Sequence, residues 1–179
     1  NDRLTELNLW DLIKTKKNIL ELGCGNGNLT KLIYNNMNDS KLTCIDFSET
    51  MLNLLKKWIY NRNIKNIKTI LMDIINIKHI LNKNIFDLII SAGMIEYIDF
   101  ENFLKNIKHL ANINTDIIFF ISKKNIINWL TISLYWKGKI YSKQEILNLL
   151  HKTKYKNIEI YDLSKNYLND WYYIVKCNI

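Results

Sequence analysis

Glu21-Leu22-Gly23-Cys24-Gly25-Asn26-Gly27-Asn28 follows a short apolar run, Asn18-Ile19-Leu20-Glu21-Leu22, and opens a segment that reads as a helix from Asn28 to Met37. Glycines at such a strand-to-helix junction let the backbone turn sharply and let a ligand come close. The helix behind them offers N–H groups that have no partner within the helix, and these suit an anion. A phosphate loop of the Gly-Lys-Ser/Thr type needs residues that are absent here. A dinucleotide fingerprint needs G-x-G-x-x-G/A, and position 28 is Asn, so its third small residue is missing. What stands in the chain is E-x-G-x-G-x-G.

Outward from this loop, the apolar runs alternate in type. Leu42-Thr43-Cys44-Ile45 reads as a second strand ending at an acid, Asp46. A helix follows, with Met51, Leu52, Leu54, Leu55, Trp58 and Ile59 on one broad face. Ser48 is placed to cap it, and Glu49 in its first turn suits the helix dipole. Thr69-Ile70-Leu71-Met72 reads as a third strand, again followed by an acid, Asp73, and Phe86-Asp87-Leu88-Ile89-Ile90 as a fourth. Phe100, Phe103, Leu104, Ile107 and Leu110 recur at helical spacing, and Asp116 to Ile121 reads as a fifth strand. Ser142-Lys143-Gln144-Glu145 is a capping box, with Tyr141 and Ile146 placed as a hydrophobic staple. Two strands near Ile158 and Tyr173 finish the chain. Strands alternating with helices, and strands that are continuously apolar, predict a mainly parallel sheet covered on both faces. The right-handed crossover rule leaves a doubly wound α/β sheet, whose ligand lies at the carboxyl ends of the strands.

The strand ends carry further signals. Asp46 lies nineteen positions after Gly27, where an acid can accept both hydroxyls of a ribose. A helix-capping Asp fits Asp46-Phe47-Ser48-Glu49 as well, and a dinucleotide enzyme would want the same acid. Leu71-Met72-Asp73-Ile74 ends the third strand, and Ser91-Ala92-Gly93-Met94-Ile95-Glu96-Tyr97 follows the fourth. With the glycine loop, these motifs stand in order at four strand ends, and together they resemble the class I S-adenosylmethionine-dependent methyltransferases. The resemblance runs from about Lys16 to Ile179, and implies a Rossmann-like, seven-stranded sheet with helices on both faces and an antiparallel strand near the C-terminus.

The same resemblance implies roles. The loop Gly23, Cys24, Gly25, Asn26, Gly27 would hold the amino-acid part of S-adenosylmethionine, with Glu21 below the ammonium group, directly or through water. Asp46 would take the ribose, with Phe47 and Met51 beside it. Asp73 would meet the adenine amino group and the Ile74 N–H the ring. Ser91, Ala92 and Gly93 would border the sulfur. S-adenosylhomocysteine would be the product, and no metal is expected. The chain departs from the family in two turns. Asn112-Ile113-Asn114-Thr115 stands where Pro-Gly-Gly is common before strand five. Lys154-Tyr155 stands where a Gly often precedes the aromatic before strand six. Asn tolerates left-handed backbone angles better than most residues.

Length and composition fit one domain over residues 1–179: hydrophobic residues make up 48% and charged residues 23%. The net charge of +8 raises nucleic acid or an acidic membrane as partners. However, the chain is crowded with Lys, Asn and Ile, lacks Pro and holds 5 Gly, as A/T-rich codon usage dictates. The lysines are scattered, so nucleic acid is disfavoured and a solvated surface preferred. Three cysteines without metal spacing read as reduced, buried hydrophobes, and a cytoplasmic location is expected. The apolar stretch from Ile126 to Trp136 is too short to span a bilayer. Residues 1–15 read as an N-terminal helix, with Leu4, Leu7 and Trp10 inward, or as the remnant of a lid. With Asn1 in place of an initiator Met, a longer natural N-terminus is the expectation.

The acceptor is less legible. There is no Asn/Asp-Pro-Pro-Tyr/Phe motif after strand four and no Cys there, which argues against DNA-base methylation. A small-molecule acceptor is the preferred reading. RNA methylation, a non-catalytic cofactor-binding subunit and a dinucleotide oxidoreductase are the alternatives. Residues 123–141 are the candidate substrate lid. Met94, Tyr97, Trp129 and Trp136 are candidate pocket residues, against an amphipathic helix packed on the sheet or a membrane-surface helix edged by Lys137 and Lys139. Tyr97 and Glu96 are the candidate catalytic residues. His79, His109 and His151 fall in no motif and read as surface residues. The sequence names no oligomeric state.

Overall fold

The computed structural model describes residues 8–77, 85–125, 128–135, 137–162 and 171–179, with Tyr135 as backbone only. A helix α1 (Leu9–Thr15) leads into β1 (Asn18–Leu22), α2 (Asn28–Asn36), β2 (Lys41–Asp46), α3 (Glu49–Asn61) and β3 (Ile67–Leu71). Then come β4 (Leu88–Ala92), α4 (Phe100–Ile107), β5 (Asp116–Ser122), α5 (Lys143–Lys152), β6 (Lys156–Asp162) and β7 (Tyr172–Asn178). Short 3-10 turns stand at Ile74–Asn76 and Ile95–Tyr97, and a π-helical turn at Trp129–Tyr135. The expected inward Leu4 and Leu7 lie outside the described residues, while Trp10 is buried.

The seven strands form one sheet in the order β3-β2-β1-β4-β5-β7-β6. The pairs from β3 to β5 are parallel and those of β7 with β5 and β6 antiparallel, the doubly wound sheet with an antiparallel C-terminal strand that the sequence predicts. Alternate side chains of one strand serve two cores. On one face Leu20, Leu22, Ile89, Phe119 and Val175 pack against Phe103, Leu104 and Ile146 of α4 and α5. On the other, Ile19, Cys44, Leu88, Ile90 and Ile118 pack against Trp10, Ile33, Leu52 and Leu55 of α1, α2 and α3. Each fully buried Leu or Ile contributes about 1.5–3 kcal/mol. The continuous apolar runs follow from this double burial.

Local signals hold where they are chemical. The Ser48 Oγ accepts from the Met51 N–H at 3.4 Å. The capping box at Ser142 and Glu145 is complete, and the staple pair Tyr141 and Ile146 is buried. Three expectations need correction. Strands three and four run two residues earlier and later than expected at their starts, because register with β2 and β1 sets them. The Asp87 carboxylate, read as strand, instead accepts from the N–H groups of Lys17 and Asn18 at 2.8 and 3.0 Å. The turn before β5 uses no left-handed Asn: the Asn112 Oδ1 accepts from the Asn114 N–H at 2.8 Å, and Thr115 Oγ1 donates to the Phe86 carbonyl. Lys154, by contrast, does adopt φ 59°, the left-handed position where glycine is commonest.

Candidate functional site

The sheet order reverses at β1 and β4, so the loops after them part company and leave a crevice over the strand tips. A cavity of about 710 Å³ occupies it. Its walls come from four strand ends: Gly23 and Gly25 after β1; Ile45 to Ser48 and Met51 after β2; Met72 to Ile75 after β3; and Gly93, Met94, Tyr97 and Ile98 after β4.

The glycine loop is held from below. The Gly23 and Cys24 N–H groups both donate to the Ile45 carbonyl, at 2.8 and 3.0 Å. Gly25 N–H donates to the Asp46 Oδ2 at 2.7 Å, and Ser48 N–H to Oδ1 at 2.8 Å. The Met72 N–H donates to the Asp46 carbonyl at 2.9 Å. The three loop glycines do different work. Gly25 has φ 53° and open space where a Cβ would stand. Gly27, at φ 85°, would place a Cβ 2.5 Å from the Leu55 Cδ1, so it lets α2 close on α3. A Cβ at Gly23 would meet the Met94 side chain at 2.9 Å.

Glu21 lies behind the loop rather than on the cavity wall. It is fully buried, accepts from Thr30 Oγ1 at 2.6 Å and from Cys44 Sγ at 3.6 Å. Burial raises its carboxyl from 4.5 to about 7, against the lowering hydrogen bonds from Thr30 and Cys44. Asp46 is buried with both oxygens already bonded to backbone, so it serves as the turn acid and still has lone pairs toward the cavity. Phe47 is 80% exposed at the rim. Asp73 is exposed, and its Oδ1 caps the 3-10 turn through the Ile75 N–H at 3.0 Å.

Of the expected cofactor residues, Gly23, Gly25, Asp46, Phe47, Met51, Asp73, Ile74 and Gly93 share this cavity. Glu21, Cys24, Asn26, Gly27, Ser91 and Ala92 do not line it. Cys24 and Ser91 are buried, and Gly27 faces α3. Met94 and Tyr97 line it as expected pocket residues. Trp129 does not, since the turn that carries it leaves it 51% exposed, and Trp136 lies outside the described residues. Trp129, Leu130 and Leu134 face outward, whereas Asn128 is buried and Ile132 and Ser133 are half-buried on the inward side. Glu96 is buried, with Oε1 accepting from the Ser122 N–H at 2.6 Å, and does not reach the wall. Tyr97 is half exposed, and burial, then the Glu96 charge, raises its phenol above the usual value. His109 and His151 are exposed, and His79 lies outside the described residues. Sequence reasoning did not single out Ile45, Ser48, Met72, Ile75 and Ile98 as site residues; Met72 lies inside the strand-three motif, and the others stand within two residues of Asp46, Ile74 or Tyr97.

A methyltransferase-domain family model matches residues 13–175. Among curated proteins, a malonyl-[acyl-carrier protein] O-methyltransferase of Bacillus anthracis is 30% identical over 102 residues, covering 56% of this chain and 36% of that protein. The chain thus spans about a third of that relative's length. Among solved structures, a SAM-dependent methyltransferase from Aquifex aeolicus superposes with a TM-score of 0.75 at 19% identity, over 98% of this chain and 92% of that one. A phosphoethanolamine N-methyltransferase 2 of Haemonchus contortus, solved with S-adenosyl-L-methionine, gives 0.80 at 13% identity, over 99% and 52%.

Proposed function

The chain belongs to the methyltransferase-domain family of class I, Rossmann-like S-adenosylmethionine-dependent enzymes, and on that premise we propose that it transfers a methyl group from S-adenosylmethionine to a small-molecule acceptor. The observation that carries the reading is the single cavity wall to which four strand ends bring Gly25, Asp46, Asp73 and Gly93. The residues fit the cofactor. The open space over Gly25 and Gly93 admits close approach to backbone. Asp46 offers carboxylate lone pairs for vicinal hydroxyls. Phe47, Met51, Ile74 and Ile75 give a planar base an apolar slot beside Asp73 and the Ile74 N–H. The buried Glu21 lies behind the loop, and an ammonium group held over the loop would favour its charged form.

When bound, the cofactor supplies an electrophilic methyl group on a sulfonium. The protein's part is alignment and exclusion of water. Gly93 and Met94 close the wall at the tip of β4, and Tyr97 and Ile98 extend it toward the acceptor side. Tyr97 stands on this wall with its phenol raised by burial and then by Glu96, where its hydroxyl can donate to an acceptor. The similar Bacillus anthracis protein acts on a malonyl group carried by a protein, which fits an acceptor of metabolic size.

Calorimetry tests the reading. S-adenosylmethionine and NAD are titrated separately into the chain and into Asp46→Ala and Asp73→Ala. Binding of the first alone, weakened by both substitutions, is the expected result. Failure of a folded chain to bind S-adenosylmethionine would overturn it.

A further inference from the structure

Beyond the cavity, one face of the molecule is unusually apolar. The π-helical turn Trp129–Tyr135 presents Trp129, Leu130 and Leu134 at 51%, 51% and 57% exposure. Hydrogen bonds in such a turn run between residues five apart, the spacing of Trp129 and Leu134. The start of β7 abuts this turn, since the Trp171 carbonyl accepts from the Lys123 N–H at 2.8 Å and from the Asn128 Nδ2 at 3.0 Å. Trp171 and Tyr172 are also partly exposed there. Scattered exposed apolar residues need no explanation, but a Trp and two Leu exposed within one short turn do.

The charges carried by the turn's own segment are all basic, and acids of neighbouring elements face some of them. From Lys123 to Tyr141 the chain holds four lysines and no Asp or Glu. Lys123 pairs with Asp162, and Lys124 lies 3.8 Å from Glu145. Lys137 and Lys139 are exposed at the far end of the turn, with the Lys139 ammonium 4.8 Å from the Tyr141 ring centroid. Among the described residues no helix is long and apolar enough to cross a membrane.

We infer that this face docks on an anionic lipid bilayer, with Trp129, Leu130 and Leu134 entering the headgroup region and Lys137 and Lys139 on the lipid phosphates. Trp and Tyr prefer such an interface, where one part of the ring is apolar and the other wet. Basic residues flanking an apolar helical face are the pattern that binds acidic membranes. The face also adjoins the cavity: a Cβ on Gly138 would meet Ile132 Cγ2 at 2.7 Å and the ring of Tyr97 at 3.0 Å. On the proposed methyl transfer, and resting on it, docking would bring the acceptor end of the cavity to the lipid surface and favour an acceptor dissolved there.

The test is co-sedimentation with vesicles of phosphatidylglycerol and, separately, of phosphatidylcholine, with tryptophan emission read in parallel. The wild-type chain should bind phosphatidylglycerol with a blue shift and leave phosphatidylcholine largely free. Trp129→Ser with Leu134→Ser should weaken binding roughly tenfold or more, and Lys137→Glu with Lys139→Glu should do the same while leaving the apolar residues in place. Far-ultraviolet circular dichroism shows that each variant is folded, and titration of S-adenosylhomocysteine tests the cofactor reading independently. The proposal falls if wild type binds neither vesicle. It falls equally if both variants bind like wild type, which would assign the attraction to scattered lysines. It also falls if the chain self-associates through this face without lipid and the Ser variant abolishes that, since a second copy then covers it.

Discussion

The strand tips of β1 to β4 line the cavity, and the segment from Lys123 to Tyr141 meets it only where Gly138 packs near Tyr97; the two are built by opposite rules. At the tips, backbone N–H groups find carbonyl or carboxylate partners on the next strand, and the glycines have φ values that other residues rarely adopt. In the segment, a bridge pairs Lys123 with Tyr141, and between them, among the described residues, Trp129, Leu130 and Leu134 are exposed. The first region is shaped for a ligand of fixed chemistry. The second leaves the surface free to vary, which fits a fold that serves many acceptors through one cofactor half.

The largest predicted effect breaks the first region. Gly27→Ala combines a strained φ of 85° with a Cβ 2.5 Å from Leu55, and should cost about 3 kcal/mol of stability, measured by urea unfolding. Leu55→Ala in the same chain should relieve the overlap but not the strain, and recover part of the difference relative to Leu55→Ala alone.

Next comes Glu21. Folded, it keeps its proton to about pH 7; unfolded, it loses it near 4.5. In between, the folded chain binds the extra proton, so stability is fully present below about pH 4.5 and is lost as pH rises to about 7, by up to ~3 kcal/mol. Glu21→Gln should remove that slope from a series of unfolding curves taken across this window. Asp46→Ala should weaken S-adenosylmethionine by about thirtyfold, some 2 kcal/mol, while Asp46→Asn keeps one acceptor and loses less. Calorimetry distinguishes the two.

Smaller effects sharpen the comparison from the outside. Lys154→Gly should stabilise the chain by about 1 kcal/mol by relieving a left-handed side chain, read as a rise in Tm. Trp129→Ser should change neither stability nor cofactor affinity by more than about 0.5 kcal/mol. A large loss of cofactor affinity in that variant would mean that the second region shapes the first.

The same contrast explains what was legible in the sequence. Strand type, sheet class and the glycine loop could be read, because double burial writes continuous apolar runs and a tight turn demands glycine. Asp46 could be placed but its backbone duties could not, since they depend on which N–H groups the fold brings to it. Glu21 illustrates the limit: its type and position were readable, whereas its burial beneath Thr30 and Cys44 arises from α2 and β2 closing over it. The π-helical turn left no periodic signal, because Trp129 to Trp136 is apolar almost throughout and fits a helix facing either way.

One carbonyl has consequences beyond geometry. Ile45 receives two loop N–H groups, and the neighbouring Asp46 carbonyl receives the one from Met72. Three strand tips are thereby laced into a crossbar before any ligand arrives. The amides of Gly23, Cys24 and Met72 should then exchange with deuterium at a common slow rate in the free chain, opening together rather than one by one. Little ordering remains to be done when a ligand enters, so its residence time is governed by the contacts it makes and not by the assembly of its own berth.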